Sequence, residues 1–144
     1  MSFGKLSRYS LTALLLVSLF GTAQAQEAGA IKVEKLLETE QSWDGEKYLA
    51  YPTGTPQLTM LKITIPPNSN LPWHEHAIPN AGYLLSGVLM VEKRSNKETR
   101  KLVAGDAIAE MVDEAHRGYT GSEGATVLVF YAGKKGIPLS TPVK

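Results

Sequence analysis

The chain has 144 residues, with 15 Lys and Arg against 14 Asp and Glu, and no cysteine. Its length fits one small globular domain, and its apolar content of 43% is well above that of chains too polar to fold. A net charge of +1 provides no broad positive field for a phosphate backbone, and the basic residues within 93–101 are typical of a solvated turn, so no nucleic-acid partner is expected.

Residues 1–25 are predicted to be a secretory signal peptide. Two basic residues precede an apolar run at 11–20, and Ala23-Gln24-Ala25 has small residues at the alternate positions of a cleavage site. The run is much shorter than the roughly 20 residues that span a bilayer. We therefore expect a secreted protein, periplasmic in a Gram-negative bacterium, whose mature domain at 26–144 has no membrane attachment.

The rest of the sequence predicts an all-β domain. Apolar segments recur every 8 to 12 residues or so, separated by Gly, Pro, Asn and Asp, which is about the spacing of strands in a sandwich or barrel. The barrel is expected over about 57–132. Residues 33–41 suggest a short helix or an edge strand, and 138–144 suggest a surface tail. The predicted strands occupy 58–65, 83–85, 88–91, 101–103, 107–112 and 127–131.

The three histidines carry the clearest chemical signal. His74 and His76 are two residues apart, so in an extended strand both imidazoles project from the same face. His116 follows another predicted strand and reaches the pair if the sheet folds back. Imidazole is a common ligand of transition metals, but a His-x-His tripeptide taken alone is more often a pair of surface or hydrogen-bonded histidines.

Around these residues the sequence resembles the cupin superfamily, in particular its small single-domain members. In the first cupin motif a Gly precedes His-x-His, which is followed by a metal-binding Glu and a second Gly. His74, His76 and Gly87 match that motif with its spacing intact. Asn68 replaces the first Gly, and Asn80 replaces the Glu.

The second cupin motif is matched at fewer positions. Gly105 and His116 are in place, whereas Met111, Asp113 and Thr120 replace its Pro, its second Gly and its Asn. The resemblance implies a jelly-roll-like cupin barrel with a central divalent transition metal held by the three histidines. Zn, Fe, Mn, Ni and Cu all suit imidazole ligands, so the identity of the metal stays open.

Asn80 and Glu110 are the candidates for a fourth group at this site. Three neutral imidazoles leave the charge of a divalent ion uncompensated, which favours anionic ligands and leaves coordination positions open. Asn80 either binds the metal weakly through its amide oxygen or is a turn residue after Pro79. Glu110 stands where cupins usually have a hydrophobic residue, and it is a candidate catalytic base or ligand if its side of the strand lines the barrel.

Two classes of function are consistent with these residues. One is a metalloenzyme of the oxygenase or isomerase type, acting on a small anionic or chelating organic molecule in a pocket that includes Trp73 and Tyr119. The other is a non-catalytic module that binds a metal or a small ligand, because the cupin fold by itself does not select a reaction. The resemblance also implies a homodimer, in which residues 31–43 cover or exchange a sheet edge.

Overall fold

The structure is a computed structural model that describes residues 29–144, and the barrel unit extends from Glu34 to Lys144. The predicted signal peptide at 1–25 lies outside the described residues. Within 29–144 there is no helix with the length and hydropathy needed to cross a membrane. The strands of this part are β1 (Pro56–Ile65), β2 (His74–Glu75), β3 (Asn80–Lys93), β4 (Thr99–Val103), β5 (Ala107–Ala109), β6 (His116–Tyr119), β7 (Ala125–Lys134) and β8 (Thr141–Pro142).

These strands form a curled antiparallel sheet with the neighbour order β1-β7-β3-β6-β2-β8. The long strand β3 links the two halves of the barrel. Its first part pairs with β7 and β5, and its second part pairs with β4 and β6. The prediction of an all-β, jelly-roll-like barrel is confirmed.

Alternating side chains of β7 show how the sequence produces the core. Ala125, Val127, Val129 and Tyr131 are buried, whereas the residues between them are partly exposed or exposed. Successive side chains of a strand point to opposite faces, so one face of β7 packs into the barrel. Fully burying a Val or Leu side chain stabilises the fold by about 1.5–3 kcal/mol. The alternating apolar residues therefore determine which face of β7 turns toward the core.

Several local predictions are corrected by long-range pairing. The segments predicted at 83–85 and 88–91 belong to the single strand β3, and residues 33–40 form neither a helix nor a strand. The predicted surface tail contains β8, which pairs with β2, and the Val143 N–H donates to the Trp73 carbonyl at 2.9 Å. Strands of two residues, such as β2 and β8, are too short to show a sequence period. Only their pairing with other strands defines them.

Gly87 permits the bend in β3. It adopts a φ of +80°, and a Cβ at this position would lie 1.8 Å from the Gly124 carbonyl oxygen. We expect Gly87→Ala to lower the free energy of unfolding by roughly 3 kcal/mol or more, because both the backbone and its neighbour must shift. Gly121→Ala is the matched control, since nothing lies within 4 Å of its Cβ position. Urea denaturation of both variants measures the difference, and equal midpoints would refute the explanation.

Candidate metal centre

Strand pairing brings the three histidines together. His74 on β2 lies directly opposite His116 on β6, and their ring centroids are 4.6 Å apart. His76 follows β2 by one residue, and its ring centroid lies 5.0 Å from each of the other two. One ring nitrogen from each residue belongs to a group in which all atoms lie within 4.8 Å of one another. This geometry can hold one metal ion.

Backbone carbonyls fix the tautomer of all three rings. The Nδ1 atom of His74 lies 2.9 Å from the Pro72 carbonyl, and that of His116 lies 2.8 Å from the Glu114 carbonyl. The third bond joins His76 Nδ1 to the Leu139 carbonyl at 2.7 Å. A carbonyl oxygen can only accept, so each Nδ1 donates its proton and each Nε2 keeps a free lone pair. Such outer hydrogen bonds are what orient imidazoles toward a metal.

Burial keeps the three imidazoles neutral. His76 and His116 are only 3% and 2% exposed. Burial lowers the pKa of His74 and of His116, and it lowers the pKa of His76 to about 4. Metal binding requires the unprotonated ring, and these three rings carry no proton at Nε2 at neutral pH.

Several buried polar atoms around the cluster have no hydrogen-bond donor to pair with. Asn80 Oδ1, Glu110 Oε2 and His116 Nε2 are buried and have no hydrogen-bond partner within residues 29–144. With His116 protonated at Nδ1, the atoms of Asn80 and His116 are acceptors, and the Glu110 oxygen is a third acceptor whenever its carboxyl group is ionised. Buried acceptors left unpaired are costly, and a cation among them would remove that cost. These oxygen and nitrogen atoms therefore fit the ligands of a divalent metal.

Glu110 lies at the edge of the histidine cluster. Its Oε2 is 3.5 Å from His116 Nε2, which is too long for a good hydrogen bond. Two ligands bound at about 2.1 Å to one tetrahedral ion are separated by a similar distance, about 3.4 Å. Burial raises the pKa of Glu110 to about 7, so this carboxyl group can both give and accept a proton at neutral pH.

Asn80 begins β3 and points into the barrel, where it is 5% exposed. Its Nδ2 donates to the Ile78 carbonyl at 3.3 Å, and its backbone carbonyl accepts from Glu110 N–H at 3.0 Å. The amide thus keeps a local turn contact while its oxygen stays unpaired inside. Both roles predicted for Asn80, turn residue and weak ligand, are consistent with this position.

Tyr131 is a site residue that the sequence analysis missed. It lies opposite Asn80 in the β3–β7 pair, is 4% exposed, and its ring centroid is 5.7 Å from that of His76. Burial, with a contribution from the charge of Glu110, raises its pKa to about 12, so the phenol is neutral. Its only sequence signal is the alternation of β7, which predicts a core aromatic residue as readily as a site residue.

Trp73 and Tyr119 lie beside a cation. Tyr119 has the opposite strand parity to His116 on β6, so its side chain points to the other face of that strand, and Trp73 directly precedes β2. There the Arg117 guanidinium lies 4.5 Å from the Trp73 ring and 5.8 Å from the Tyr119 ring. Arg117 is also paired with Glu92 at 2.8 Å. The two aromatic residues therefore pack against a cation in this structure rather than beside the histidine cluster.

The N-terminal segment contacts the end of β5 and Glu110, the residue that follows it. The Trp43 N–H donates to the Ala109 carbonyl at 2.9 Å, and the Tyr48 hydroxyl donates to the Glu110 carbonyl at 2.6 Å. Between them, Asp44 forms an ion pair with Lys93 at 2.7 Å. The two hydrogen bonds hold the end of β5, and the ion pair holds the end of β3.

The ion pair of Asp44 predicts a pH-dependent stability. Burial acts to raise the pKa of Asp44, but hydrogen bonds from Lys93 and Ser42 outweigh it, so the pKa lies below its usual value. A depressed pKa adds stability above the unfolded-state pKa of about 3.9, and that stability is lost as the pH falls through the folded-state pKa. Wild type should therefore exceed Asp44→Asn in stability near neutral pH, with the gap closing as the pH falls below the unfolded-state pKa and through the lower pKa of folded Asp44.

Urea titrations at several pH values measure this gap. Glu123→Gln is the control, because Glu123 is exposed and forms no ion pair within the described part of the chain. A gap between wild type and Asp44→Asn that is independent of pH would show that the Asp44 carboxylate does not stabilise the fold through its charge.

Comparison with solved structures identifies the fold. The chain is similar to the polyketide cyclase RemF from Streptomyces resistomycificus, with a TM-score of 0.54, 22% identity, and 63% of each chain covered. It is similar to the DMSP lyase DddQ from Ruegeria pomeroyi DSS-3, with a TM-score of 0.54 and 19% identity over 60% of this chain and 43% of that one. Oxalate decarboxylase from Bacillus subtilis matches with a TM-score of 0.53 and 16% identity, over 62% of this chain and 24% of that one.

These neighbours are cupin jelly-roll proteins, so the chain has the cupin fold. It spans less than two thirds of the length of each of the three. The sequence matches no protein-family model and no curated protein at a significant level.

Proposed function

We propose that this cupin-fold protein binds a divalent transition metal through His74, His76 and His116. The proposal rests on the three neutral imidazoles. Each donates its Nδ1 proton to a backbone carbonyl and keeps the lone pair of Nε2 free. The unpaired acceptors of Asn80 and Glu110 beside them support a cation at this place. Zn, Fe, Mn, Ni or Cu would suit this donor set.

We further propose that the protein is an enzyme of the oxygenase or isomerase type, acting on a small anionic or chelating organic molecule. A divalent ion held by neutral ligands keeps its full charge, which attracts anions and polarises a bound oxygen atom of a substrate. The fold is compatible with several reactions, since the similar structures include a cyclase, a lyase and a decarboxylase.

Glu110 is the proposed proton-transfer group of this enzyme. Its Oε2 lies 3.5 Å from His116 Nε2, which places a group able to accept and return a proton beside the proposed metal. The Tyr48 hydroxyl and the Asn80 carbonyl hold the backbone of Glu110 from two sides, which fixes where its side chain begins. Tyr131 lines the same interior. Its phenol is neutral, so it does not compete for the metal as a phenolate would.

The protein is proposed to act outside the cytoplasm, after removal of residues 1–25, and as a homodimer. The location and the oligomeric state are both proposed from the sequence, and a separate measurement tests each. Mass spectrometry of the protein from its native host gives the mature N-terminus, which we expect at Gln26. Sedimentation gives the oligomeric state.

Elemental analysis and turnover assays test the function. Protein purified without added metal is analysed for bound metals, then reloaded with each candidate metal and assayed with a panel of small carboxylates and chelating diketones. We expect one near-equivalent of metal per chain and turnover that Glu110→Gln reduces by about 10²–10⁴-fold while the metal content is retained. Metal binding without turnover indicates the binding module instead, and failure to bind any divalent metal rejects both.

A further inference from the structure

The side chain of Trp43 carries a buried hydrogen-bond donor that has no acceptor. Its indole Nε1 is inaccessible to solvent and has no hydrogen-bond partner in the part of the chain that the structure describes. The ring packs against the apolar core of the barrel. Buried Trp N–H groups usually have an acceptor, because a donor that loses its bond to water without replacing it is costly. A bound molecule is therefore the expected acceptor.

A closed loop carries Trp43 to the barrel. Gln41 and Lys47 form an antiparallel bridge, which joins the two sides of the segment at 40–48. We name this segment the 40–48 loop. Because its two sides are joined, the contacts that hold the loop to the barrel also determine where Trp43 lies.

On one side, the 40–48 loop contacts the strand end that leads into the proposed metal centre. The Trp43 backbone N–H donates to the Ala109 carbonyl at 2.9 Å. The Tyr48 hydroxyl donates to the Glu110 carbonyl at 2.6 Å. Ala109 ends β5, and the carboxyl group of Glu110 lies 3.5 Å from His116 Nε2. The backbone of Trp43 is therefore bound one residue before a group that borders the histidine cluster.

On its other side, the 40–48 loop contacts a strand position opposite His116. Asp44, the residue after Trp43, forms an ion pair with Lys93 at 2.7 Å. Lys93 is the register partner of His116 in the β3–β6 pair, and Val91, two residues earlier, belongs to the core. Residues two apart share a face of a strand, as do opposed residues of an antiparallel pair, so Lys93 and His116 point inward together. Trp43 thus lies between two contacts that both adjoin His116.

The unpaired atoms in this region differ in what can satisfy them. Asn80 Oδ1 and His116 Nε2 are acceptors, and a metal ion bound among them would satisfy both. The indole N–H of Trp43 is a donor only, so a cation cannot satisfy it. It requires a lone pair, and a divalent ion held by neutral imidazoles attracts anions, which supply one. A metal-bound anion is therefore the acceptor that suits both the ion and Trp43.

We propose that Trp43 is a substrate-binding residue whose indole N–H donates to a carboxylate bound at the metal. The inference rests on the proposed function and adds the chemical group that the site recognises. One carboxylate oxygen would bind the ion, and the other would accept from Nε1. Hydrogen bonds to ionised acceptors are roughly twice as strong as those between neutral groups. The site would therefore favour small carboxylates over neutral chelating molecules.

Proton–nitrogen NMR of the Zn²⁺-loaded protein tests this contact in the wild type. The chain has two tryptophans, Trp43 and Trp73, so its indole region contains two signals, and replacing either residue by Phe assigns them. When oxalate is added, we expect the Trp43 signal to move downfield until the site is saturated, because a hydrogen bond deshields the proton. Trp73 is the internal control, since its ring lies 4.5 Å from the Arg117 guanidinium. Movement of the Trp73 signal alone would show oxalate on exposed cations and would overturn the inference.

Calorimetry of Trp43→Phe measures what the donor contributes. Phe keeps an aromatic ring in the core but removes the N–H. We expect the dissociation constant of oxalate from the Zn²⁺-loaded protein to rise by about 10-fold or more, since hydrogen bonds to charged groups are the stronger class. The affinities for Zn²⁺ and for imidazole, a neutral ligand of the metal, should not change. An equal loss of affinity for imidazole would contradict the inference, because it would show a change in the site as a whole.

These outcomes are distinguishable from a failure of the proposed function. Protein that binds Zn²⁺ and oxalate while the Trp43 signal stays in place overturns the inference and leaves the metal centre intact. Zn²⁺-loaded protein that does not bind oxalate has the same consequence. Protein that binds no divalent metal overturns the proposed function itself, and the inference with it. The NMR titration uses the wild type, so it decides the inference even if Trp43→Phe does not fold.

Discussion

His76→Ala is expected to reduce the affinity for Zn²⁺ by at least about 100-fold, because loss of an outer hydrogen bond to a ligand already costs 10–100-fold. His76 is a buried member of the proposed ligand set, and its Nδ1 is held by the Leu139 carbonyl from the C-terminal segment. Calorimetric titration of chelator-treated protein measures the affinity. Glu75→Gln is the matched control: it removes a charge at the residue between the two histidines, but its side chain has the opposite strand parity.

The same substitution should also remove the stabilisation of the fold by metal. A ligand that binds only the folded state raises the free energy of unfolding by about 2.7 kcal/mol at 100 times its dissociation constant. Wild type and Glu75→Gln should therefore melt at a higher temperature with Zn²⁺ than without it, and His76→Ala should not. If His76→Ala binds Zn²⁺ as tightly as wild type, the histidine cluster is not the metal centre.

Asn80→Glu is expected to increase the affinity for divalent metals and to weaken the binding of small anions. The new carboxylate would begin at the inward-pointing position of β3, add a charged ligand, and lower the net charge of the metal site by one unit. It would also fill a coordination position that a substrate or water could otherwise occupy. Metal affinity and turnover should therefore change in opposite directions.

Two titrations check this expectation: Zn²⁺ into the apo protein, and a small carboxylate such as oxalate into the metal-loaded protein. Asn80→Gln is the control, because it changes the length of the side chain without adding charge. Unchanged affinities for both metal and anion would show that Asn80 is a turn residue only. The double variant Asn80→Glu/Glu110→Gln then reports whether a carboxylate at position 80 replaces the contribution of Glu110 to metal affinity.

Local patterns in the sequence were sufficient for the fold class and for two of the three histidines of the proposed metal site. Short apolar segments separated by turn residues predicted the strands of the barrel, and the two-residue spacing of His74 and His76 placed both rings on one face. The first signal depends on local turn chemistry, and the second depends on the geometry of an extended chain, in which successive side chains point to opposite faces. His116 entered the predicted site through the resemblance to cupins, since nothing local connects it to residues 40 and 42 positions earlier.

Tertiary structure decided which way the ambiguous residues face. Both sides of β5 and the residues after it are apolar enough to be buried, so strand parity could not assign Glu110, and only packing against His116 and Tyr48 places it beside the site. Tyr131 and Leu139 reach His76 through strand pairing and the C-terminal segment, contacts without any sequence period. Alternation along a strand is a local property and can be read from the sequence. Register and the closure of the barrel depend on distant segments, and they determine which side chains meet.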